Sequence, residues 1–451
     1  MNLELIKKYS VSGPRYTSYP TAPHFQENFP ASGILRAAED FGKSSKDISL
    51  YFHLPYCDTL CYFCACSMIR SNNRERISRY LDYLKKEIRL YSPLFKDKKV
   101  TQMHWGGGTP SHLMPEEILE LGAEITQWFS FSPDAEISVE MDPRGLTPDH
   151  LDAFREIGMN RVSMGIQDFQ EKVQKAVNRV HSYEMIQELV EQIRNRGFHG
   201  INMDLMYGLP FQSRESFRDT VHKILSLHPD RIALFHFAHL PNLKKHQRLI
   251  PVEALPHPEE KILIFQDSHD ALREAGYEYL GMDHFARSTD ELAIASRNNQ
   301  MTRNFQGYST RKNTDILAMG ITAISQMASF YYQNYKTEAE YFSALDEGAF
   351  PVYRGFALSP EDILRRDVIM TLMCDRRLDF VALGERHKIT FRDYFQKEIH
   401  SLSGFEQEGL LTINPDSIEI TEEGKFVIRN IAMIFDAYIR TDKNITYSKT
   451  V

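Results

Sequence analysis

From residue 49 onward the hydrophobic positions alternate between two rhythms. Short apolar-rich runs at Ser49–Leu54, Val100–Trp105, Glu136–Glu140, Arg161–Gly165, Gly200–Met206 and Arg231–Phe237 predict strands. Between them apolar residues recur at spacings of three and four, the repeat of one helix face. Ile77, Leu81, Leu84, Ile88 and Tyr91 form the first such face, and Ile118, Leu121, Ile125 and Trp128 the second. Thr147-Pro148 opens a third helix and Gly158 stops it, a cap followed by proline at the first helical position and glycine at the end. A fourth helix stops at Gly197, and a fifth runs from about Arg214 to Leu227. Six strand–helix units in succession imply parallel strands with right-handed crossovers. The fold class is therefore α/β. Six units rather than eight suggest a partial (β/α)6 barrel, and periodicity alone leaves an open doubly wound sheet as the alternative.

The flanks have a different texture. Residues 1–48 form an N-terminal arm or lid, in which Ser12 to Pro20 is turn-forming and not a regular helix. The barrel is assigned to residues 49–310 and a mainly helical C-terminal domain to 311–451. In that domain Pro360–Met373 and Phe391–Leu402 predict helices. Leu410–Asn414 and Ile418–Thr421 flank Pro415-Asp416-Ser417 as a hairpin, and a last helix runs from about Glu423 to Arg440. Helices, hairpin and helix together resemble a winged-helix domain.

At 451 residues the chain is long enough for two or three folding units. Its 42% hydrophobic and 25% charged residues are the balance of a globular enzyme. A formal net charge of -8 speaks against nucleic acid as a partner and requires local cations for any anionic substrate. No stretch reaches the apolar length of a membrane span, and the first ten residues lack a secretory signal, so a cytoplasmic location is expected. Four of the five cysteines lie between Cys57 and Cys66. Thiols so close together in a reducing compartment point to metal rather than disulfides. Cys374 lies beside the apolar run Val368–Met373 and reads as a core residue.

Cys57, Cys61 and Cys64 sit on a loop after the first strand, at i, i+4 and i+7. That spacing can wrap three thiolates around a [4Fe–4S] cluster and leave one iron open for S-adenosylmethionine (SAM). Soft, anionic thiolates suit such a cluster. A structural zinc site is the competing reading, but zinc sites usually join two short Cys pairs across a spacer, and here all the thiols fall within one loop. The other strand ends carry turn and polar residues as well. These are Gly106-Gly107-Gly108-Thr109-Pro110, then Glu140, Asp142 and Arg144, then Gln167-Asp168. Asp204 with Tyr207-Gly208-Leu209-Pro210 and Ala238-His239-Leu240-Pro241 complete the set. In parallel α/β folds the C-terminal strand ends form the site.

With these motifs in place the chain resembles the oxygen-independent coproporphyrinogen III dehydrogenases of anaerobic haem synthesis, members of the radical SAM superfamily. The likeness covers nearly the whole length. It rests on the arm Ser12–Thr21, the cluster loop with its additional Cys66, and the run from His104 to Pro110. It continues through the run from Asn202 to Pro210 and the blocks Gly281–Arg287 and Arg303–Tyr308. The resemblance implies a radical SAM barrel and oxidative decarboxylation of two propionates of coproporphyrinogen III to vinyls, giving protoporphyrinogen IX. It implies a [4Fe–4S] cluster on Cys57, Cys61 and Cys64, with Cys66 nearby but not ligating, and two SAM molecules. The implied SAM contacts are Tyr51, Phe63, Gly107, Gly108, Thr109, Glu140, Gln167, Arg179, Asp204, Ala238 and Ile324. Tyr51 and Cys66 are the candidate catalytic residues, and Arg15 is a candidate partner for a propionate, with Lys244, Lys245 and Arg248 as further cations. The implied route is hydrogen abstraction from the propionate β-carbon by a 5′-deoxyadenosyl radical, then loss of CO₂. An electron donor and a final electron acceptor, neither identified by the sequence, are implied as partners, and a monomer is expected.

The chain departs from the family pattern at Ala65, where glycine is usual, at Ser67, where asparagine is usual, and at Ala318, where glycine is expected. Ala65 excludes an easy positive φ beside the cluster. Two other radical SAM readings compete, a haem-handling chaperone and an enzyme that modifies haem anaerobically. Chaperone-type relatives lack the fourth cysteine and the long arm, and both are present here.

Overall fold

The computed structural model describes residues 3–27, 29, 30, 33, 34, 47–312, 314–439, 445 and 447–450. The chain divides into two compact units. One contains residues 26–277 and 314–356, and the other residues 1–25, 278–313 and 357–451.

In the first unit the six expected strands all form: β1 (Ile48–Leu54), β2 (Lys99–Gly107), β3 (Ser130–Met141), β4 (Arg161–Gln167), β5 (Gly200–Tyr207) and β6 (Arg231–His236). They are parallel and adjacent in chain order. Helices Arg74–Tyr91, Pro115–Trp128, Pro148–Glu156, Tyr183–Asn195 and Arg214–Leu227 connect them. The first of these buries Ile77, Leu81, Leu84, Ile88 and Tyr91, the face that the spacing predicts. In the second, Ile118, Leu121 and Ile125 are buried, but Trp128 is 39% exposed at the helix end, where its indole N–H donates to Glu124 at 2.6 Å.

The strands do not close into a full barrel. The other edge of β1 pairs in parallel with Asp315–Met319, which is followed in the sheet by Ile324–Gln326, Phe330–Asn334 and Val352–Ala357. These four strands are absent from the sequence reading. Asp315–Met319 and Phe330–Asn334 are each buried at all five positions, so neither shows the alternation that marks a half-exposed strand.

Alternation within the six strands decides where the site lies. In β5, Ile201, Met203 and Leu205 are buried while Asn202, Asp204 and Met206 are half-buried. The cross-strand register puts Tyr51 beside His104, His104 beside Ser138, Glu140 beside Ser163, Ser163 beside Asn202 and Gly165 beside Asp204. Directly paired residues share a face of the sheet. One face is therefore a continuous polar row, while Phe52, Trp105, Val139, Val162 and Met203 are almost wholly buried on the other.

The second unit has its own core. Helix Pro360–Cys374 starts at a capping box of Ser359 and Asp362, whose N–H bond to the Ser359 hydroxyl is 3.1 Å long. Its Leu364, Val368, Ile369 and Leu372 share a core with Ile428, Ile431 and Phe435, and Cys374 is buried there as expected. Arg377–Asp379, Ser417–Ile420 and Leu411–Ile413 form a three-stranded antiparallel sheet whose last two strands are the anticipated hairpin. The segment expected to be one helix from Phe391 to Leu402 is broken into Phe391–Tyr394 and Gln396–Ser401. The last helix is shorter than expected, Ile428–Met433 after a 3₁₀ turn at Gly424–Val427, and Arg440 lies outside the described residues, as do residues 35–46 of the arm. Ser12–Pro20 is irregular as anticipated, but it is not a loose arm within this unit. Tyr16 and Tyr19 are each 1% exposed in the core, and the Tyr16 hydroxyl donates to Asp436 at 2.8 Å.

Candidate active site

The cysteine loop follows β1 and is held by its main chain. Cys64 N–H donates to the Cys61 carbonyl at 3.1 Å, and Tyr62 N–H to the Val177 carbonyl at 2.9 Å. Side chains clamp it from several directions: Asn178 on the Leu60 carbonyl at 2.9 Å, Gln247 on that of Phe63 at 3.0 Å, His246 on that of Cys64 at 2.7 Å and Lys244 on that of Cys66 at 2.9 Å. Donors also reach the sulfurs. The Thr109 hydroxyl lies 3.1 Å from Cys57 Sγ, and Arg144 and Arg179 lie 3.4 and 3.5 Å from Cys61 Sγ. Burial pushes the Cys57 thiol up to about 12, against the pull of Thr109. Cys64 is held below the ordinary thiol value, first through its hydrogen bond with the Cys66 thiol, against the opposing effect of burial, and then through Lys244 and His246. Ala65 is not among the residues with positive φ, so its methyl group imposes no backbone strain there. Ala318 lies in an extended strand beside Tyr51, where glycine's conformational freedom is not needed.

The glycine run at the end of β2 is dictated by close approach. A Cβ on Gly108 would stand 2.4 Å from the main chain of Pro55, and one on Gly107, whose φ is +111°, would strike the His53 ring at 2.4 Å. The backbone so exposed is used. Gly107 N–H donates to Glu140 Oε2 at 3.0 Å, Gly108 N–H to the Leu54 carbonyl at 2.9 Å and Thr109 N–H to that of Tyr56 at 2.9 Å.

Glu140 and Asp204 stand on the polar face with opposite tendencies. Burial would raise Glu140, but the His104 hydrogen bond and charge and the Gly107 N–H outweigh it and hold the carboxyl below its ordinary value. Asp204 is raised to about 7 by burial and then by the negative charge of Glu140, despite its 2.7 Å bond from Asn202. Asp142, gripped by Arg144 at 3.0 and 2.7 Å and by Arg179 at 2.8 Å, is held low. Tyr51 places its hydroxyl 3.1 Å from His53 Nδ1 and stacks on His104 at 5.9 Å. Burial, then the charges of Glu140 and Cys66, push its phenol up, so it remains protonated.

A register shift between Gly165 and Gln167 interrupts the pairing of β4 with β5, and Gln167 takes φ +69°. Bulges re-aim side chains. Here Gln167 is 9% exposed and its Oε1 has no hydrogen-bond partner. Arg179 is tied to the same place by a 2.8 Å bond to the Gly165 carbonyl.

Most of the anticipated site residues thus meet on one face and its adjoining loop: Tyr51, Gly107, Gly108, Thr109, Glu140, Gln167, Arg179 and Asp204 with the cysteines. Phe63 packs against a small cluster of Val173, Val177, Leu209, Phe237 and Ile250, and Ala238 is the half-buried residue after Phe237. Ile324 follows Ala323, which packs with Ala318 against Tyr51. Arg15 belongs to the other unit and is ion-paired with Asp283. The sequence reading gave no role to His53, whose Nε2 holds the Ser67 carbonyl at 2.8 Å, and it placed Asp142 and Arg144 at a strand end of the site without a particular role. The signal for His53 was available, because a period of two from Tyr51 puts it on the same face.

A parallel strand layer with three thiols on the first loop and a polar row at its centre defines a radical SAM protein. The Radical SAM superfamily matches residues 51–224, and the HemN C-terminal domain matches residues 358–427. Proteins named oxygen-independent coproporphyrinogen III oxidase are 45% identical in Salmonella typhimurium and 44% in Escherichia coli, each over 97% of this chain and 96% of the relative. The Helicobacter pylori protein of that name is 43% identical over 100% of this chain and 99% of its own. The solved coproporphyrinogen III oxidase of Escherichia coli superposes with a TM-score of 0.93 at 42% identity, covering 97% of this chain and 99% of that one. The chain belongs to the oxygen-independent coproporphyrinogen III oxidase family.

Radical SAM membership implies a [4Fe–4S] cluster and SAM, and the residues present fit both. Three thiols share one clamped loop, cationic donors face the Cys61 sulfur, and the buried Gln167 oxygen lacks a hydrogen-bond partner. Among the described residues no helix is long and apolar enough to cross a membrane.

Proposed function

We propose that this protein catalyses the oxygen-independent oxidative decarboxylation of two propionates of coproporphyrinogen III to vinyl groups, giving protoporphyrinogen IX in haem biosynthesis. The observation that carries the reading is the cysteine loop set against the Glu140–Asp204 polar face, in a chain 44% identical over 97% of its length to a protein of that name. Cys57, Cys61 and Cys64 would hold the cluster, with Cys66 outside its coordination. When bound, the cluster and SAM supply the one-electron chemistry that yields a 5′-deoxyadenosyl radical.

The chain's own groups orient the reactants. Glu140, held ionised by His104 and Gly107, is suited to an ammonium or a ribose hydroxyl, and Asp204 adds a second carboxylate. Gly107, Gly108 and Thr109 present the main chain to the ligand, and Phe63, Ala238 and Ile324 give it apolar contact. Gln167 and Arg179 offer an oxygen and a cation for a second SAM molecule, the stoichiometry we adopt. Tyr51 acts as a protonated hydrogen-bond donor rather than a base, because its surroundings oppose ionisation. Cys66 is proposed as a catalytic group beside the site, next to the cluster but outside its coordination. Arg15 is the proposed partner of a propionate.

Anaerobic incubation with SAM, a strong reductant, an electron acceptor and coproporphyrinogen III tests the reading. About two 5′-deoxyadenosines and two methionines should form per product, one pair for each propionate, with a tripropionate monovinyl species appearing first. SAM cleavage without loss of carboxyl mass would refute the decarboxylase assignment and leave the cluster assignment standing.

A further inference from the structure

The second unit contains a cluster of cations of which only Arg15 has a role in the reading above. It joins the arm, the Gly281–Arg287 block, the hairpin Thr302–Asn304 with Gly307–Ser309, and helix Ile428–Met433. Arg303 is 3% exposed. Its Nε donates to the Arg15 carbonyl at 3.2 Å, and its guanidinium lies 4.7 Å from the centre of the Tyr308 ring. Its Nη1 has no hydrogen-bond partner. Arg429, 4% exposed, directs its N–H groups to main-chain carbonyls, to Pro14 and Lys449 at 2.8 Å each and to Gly13. Arg15 is paired with Asp283, and its side chain is 37% exposed. Among the described residues neither Arg303 nor Arg429 has a carboxylate partner.

A buried guanidinium with an unsatisfied N–H is costly, and natural proteins pair such groups or use them to bind a ligand. Support for the fold explains Arg429, whose contacts tie the arm to the C-terminal segment. It does not explain the free Nη1 of Arg303, because an apolar side chain could cover the Tyr308 ring without that cost. The local balance is cationic. Burial, then the charge of Arg15, lowers Arg429 to about 9, and burial also lowers Arg303. Asp283 is held below its ordinary value, burial being outweighed by Arg15, His284 and Arg303.

We propose that Arg303 and Arg15 together form a carboxylate receptor that binds one propionate arm of the tetrapyrrole substrate. The proposal rests on the substrate class proposed above. Arg15 is the group a carboxylate meets from solvent. As Arg15 turns from Asp283 toward the incoming group, the Nη1 of Arg303 below it becomes the second donor, and guanidinium N–H pairs suit the two oxygens of a carboxylate. Until then Asp283 neutralises Arg15 and keeps it from repelling Arg303. A propionate held here is a binding group, and the cluster breaks no bond in it.

The test uses the full-length reconstituted protein, with coproporphyrin III as a non-reacting probe and its tetramethyl ester in the same detergent as a probe without carboxylates. The wild type should prefer the acid. Arg303→Gln should lose about tenfold of that preference, the effect of one charge-assisted hydrogen bond, and should raise KM for coproporphyrinogen III far more than it lowers kcat. Arg303→Lys keeps the charge and should keep part of the preference, which decides the matter if the glutamine variant does not fold. An Arg303→Gln protein with unchanged acid preference and KM overturns the receptor while the decarboxylase reading stands. So does an Arg303→Lys protein that folds and weakens on both probes equally. Wild type that prefers the acid but does not decarboxylate coproporphyrinogen III overturns the proposed activity and leaves the receptor.

Discussion

A methyl group on Gly106 would stand 2.9 Å from the Glu140 carboxylate and 3.0 Å from His104 Nε2, the ring nitrogen facing that carboxylate. The contact is closer than carbon and oxygen normally tolerate, but the atoms displaced are side-chain ends that can move. Gly106→Ala should therefore fold with a melting temperature close to wild type, yet bind SAM about tenfold more weakly because Glu140 is pushed off the Gly107 N–H. Equilibrium dialysis of SAM together with a thermal melt checks this. Gly108→Ala should behave differently, because its Cβ would strike main chain at 2.4 Å, and the melting temperature itself should fall.

The three-cysteine assignment predicts about four irons and four sulfides per chain after anaerobic reconstitution. Cys61→Ser should lose them, and Cys66→Ser should retain them. Iron and sulfide analysis of both variants decides the ligand set. Equal loss in the two would move Cys66 into the coordination shell.

SAM affinity should depend on pH through Asp204. With its carboxyl raised to about 7 by burial and the Glu140 charge, Asp204 is ionised above that pH and neutral below it, whereas Glu140 remains ionised through the same range. A ligand carrying ammonium and sulfonium groups should bind more weakly as the pH falls from 8 to 6. Asp204→Asn should bind weakly at both pH values and lose that slope. A slope retained in the variant would assign the titration to another group.

Glu87 gives a pH effect on stability instead. It is fully buried, accepting hydrogen bonds from Gly320 N–H at 2.7 Å, Asn334 at 2.7 Å and Tyr341 at 2.5 Å. Burial, partly offset by those bonds, raises it from 4.5 to about 7. A raised carboxyl favours the native state most below pH 4.5 and loses that contribution as the pH climbs through about 7. The stability of Glu87→Gln relative to wild type should therefore improve between pH 5 and pH 8, by on the order of 3 kcal/mol at most. Urea unfolding at the two pH values reads the difference.

The central strands were legible because their two faces differ. In β5 the buried Ile201, Met203 and Leu205 alternate with half-buried Asn202, Asp204 and Met206, and that period names both the strand and the side on which chemistry can occur. Asp315–Met319 gave no such contrast, being buried on both faces. The cysteine loop announced itself by spacing. The clamp of Gln247, His246 and Lys244 on its carbonyls did not, because those residues lie some 180 positions further along the chain, and only folding brings them to the loop. His53 was legible from the strand period of two that starts at Tyr51, whereas Trp128 was misplaced because a helical face does not reveal where the helix leaves the core. Ala65 looked restrictive from its side chain alone, yet its φ is not positive.

The docked arm has a consequence for how the polypeptide emerges during translation. Tyr16 finds its hydrogen-bond partner at Asp436, and the Gly13 and Pro14 carbonyls find theirs at Arg429. At ordinary elongation rates those partners leave the ribosome roughly 20 to 80 seconds after the arm does. The barrel's last strand, Val352–Ala357, is made earlier. A chain that folds as it emerges therefore passes through a stage with its sheet complete and two large tyrosines still without their core.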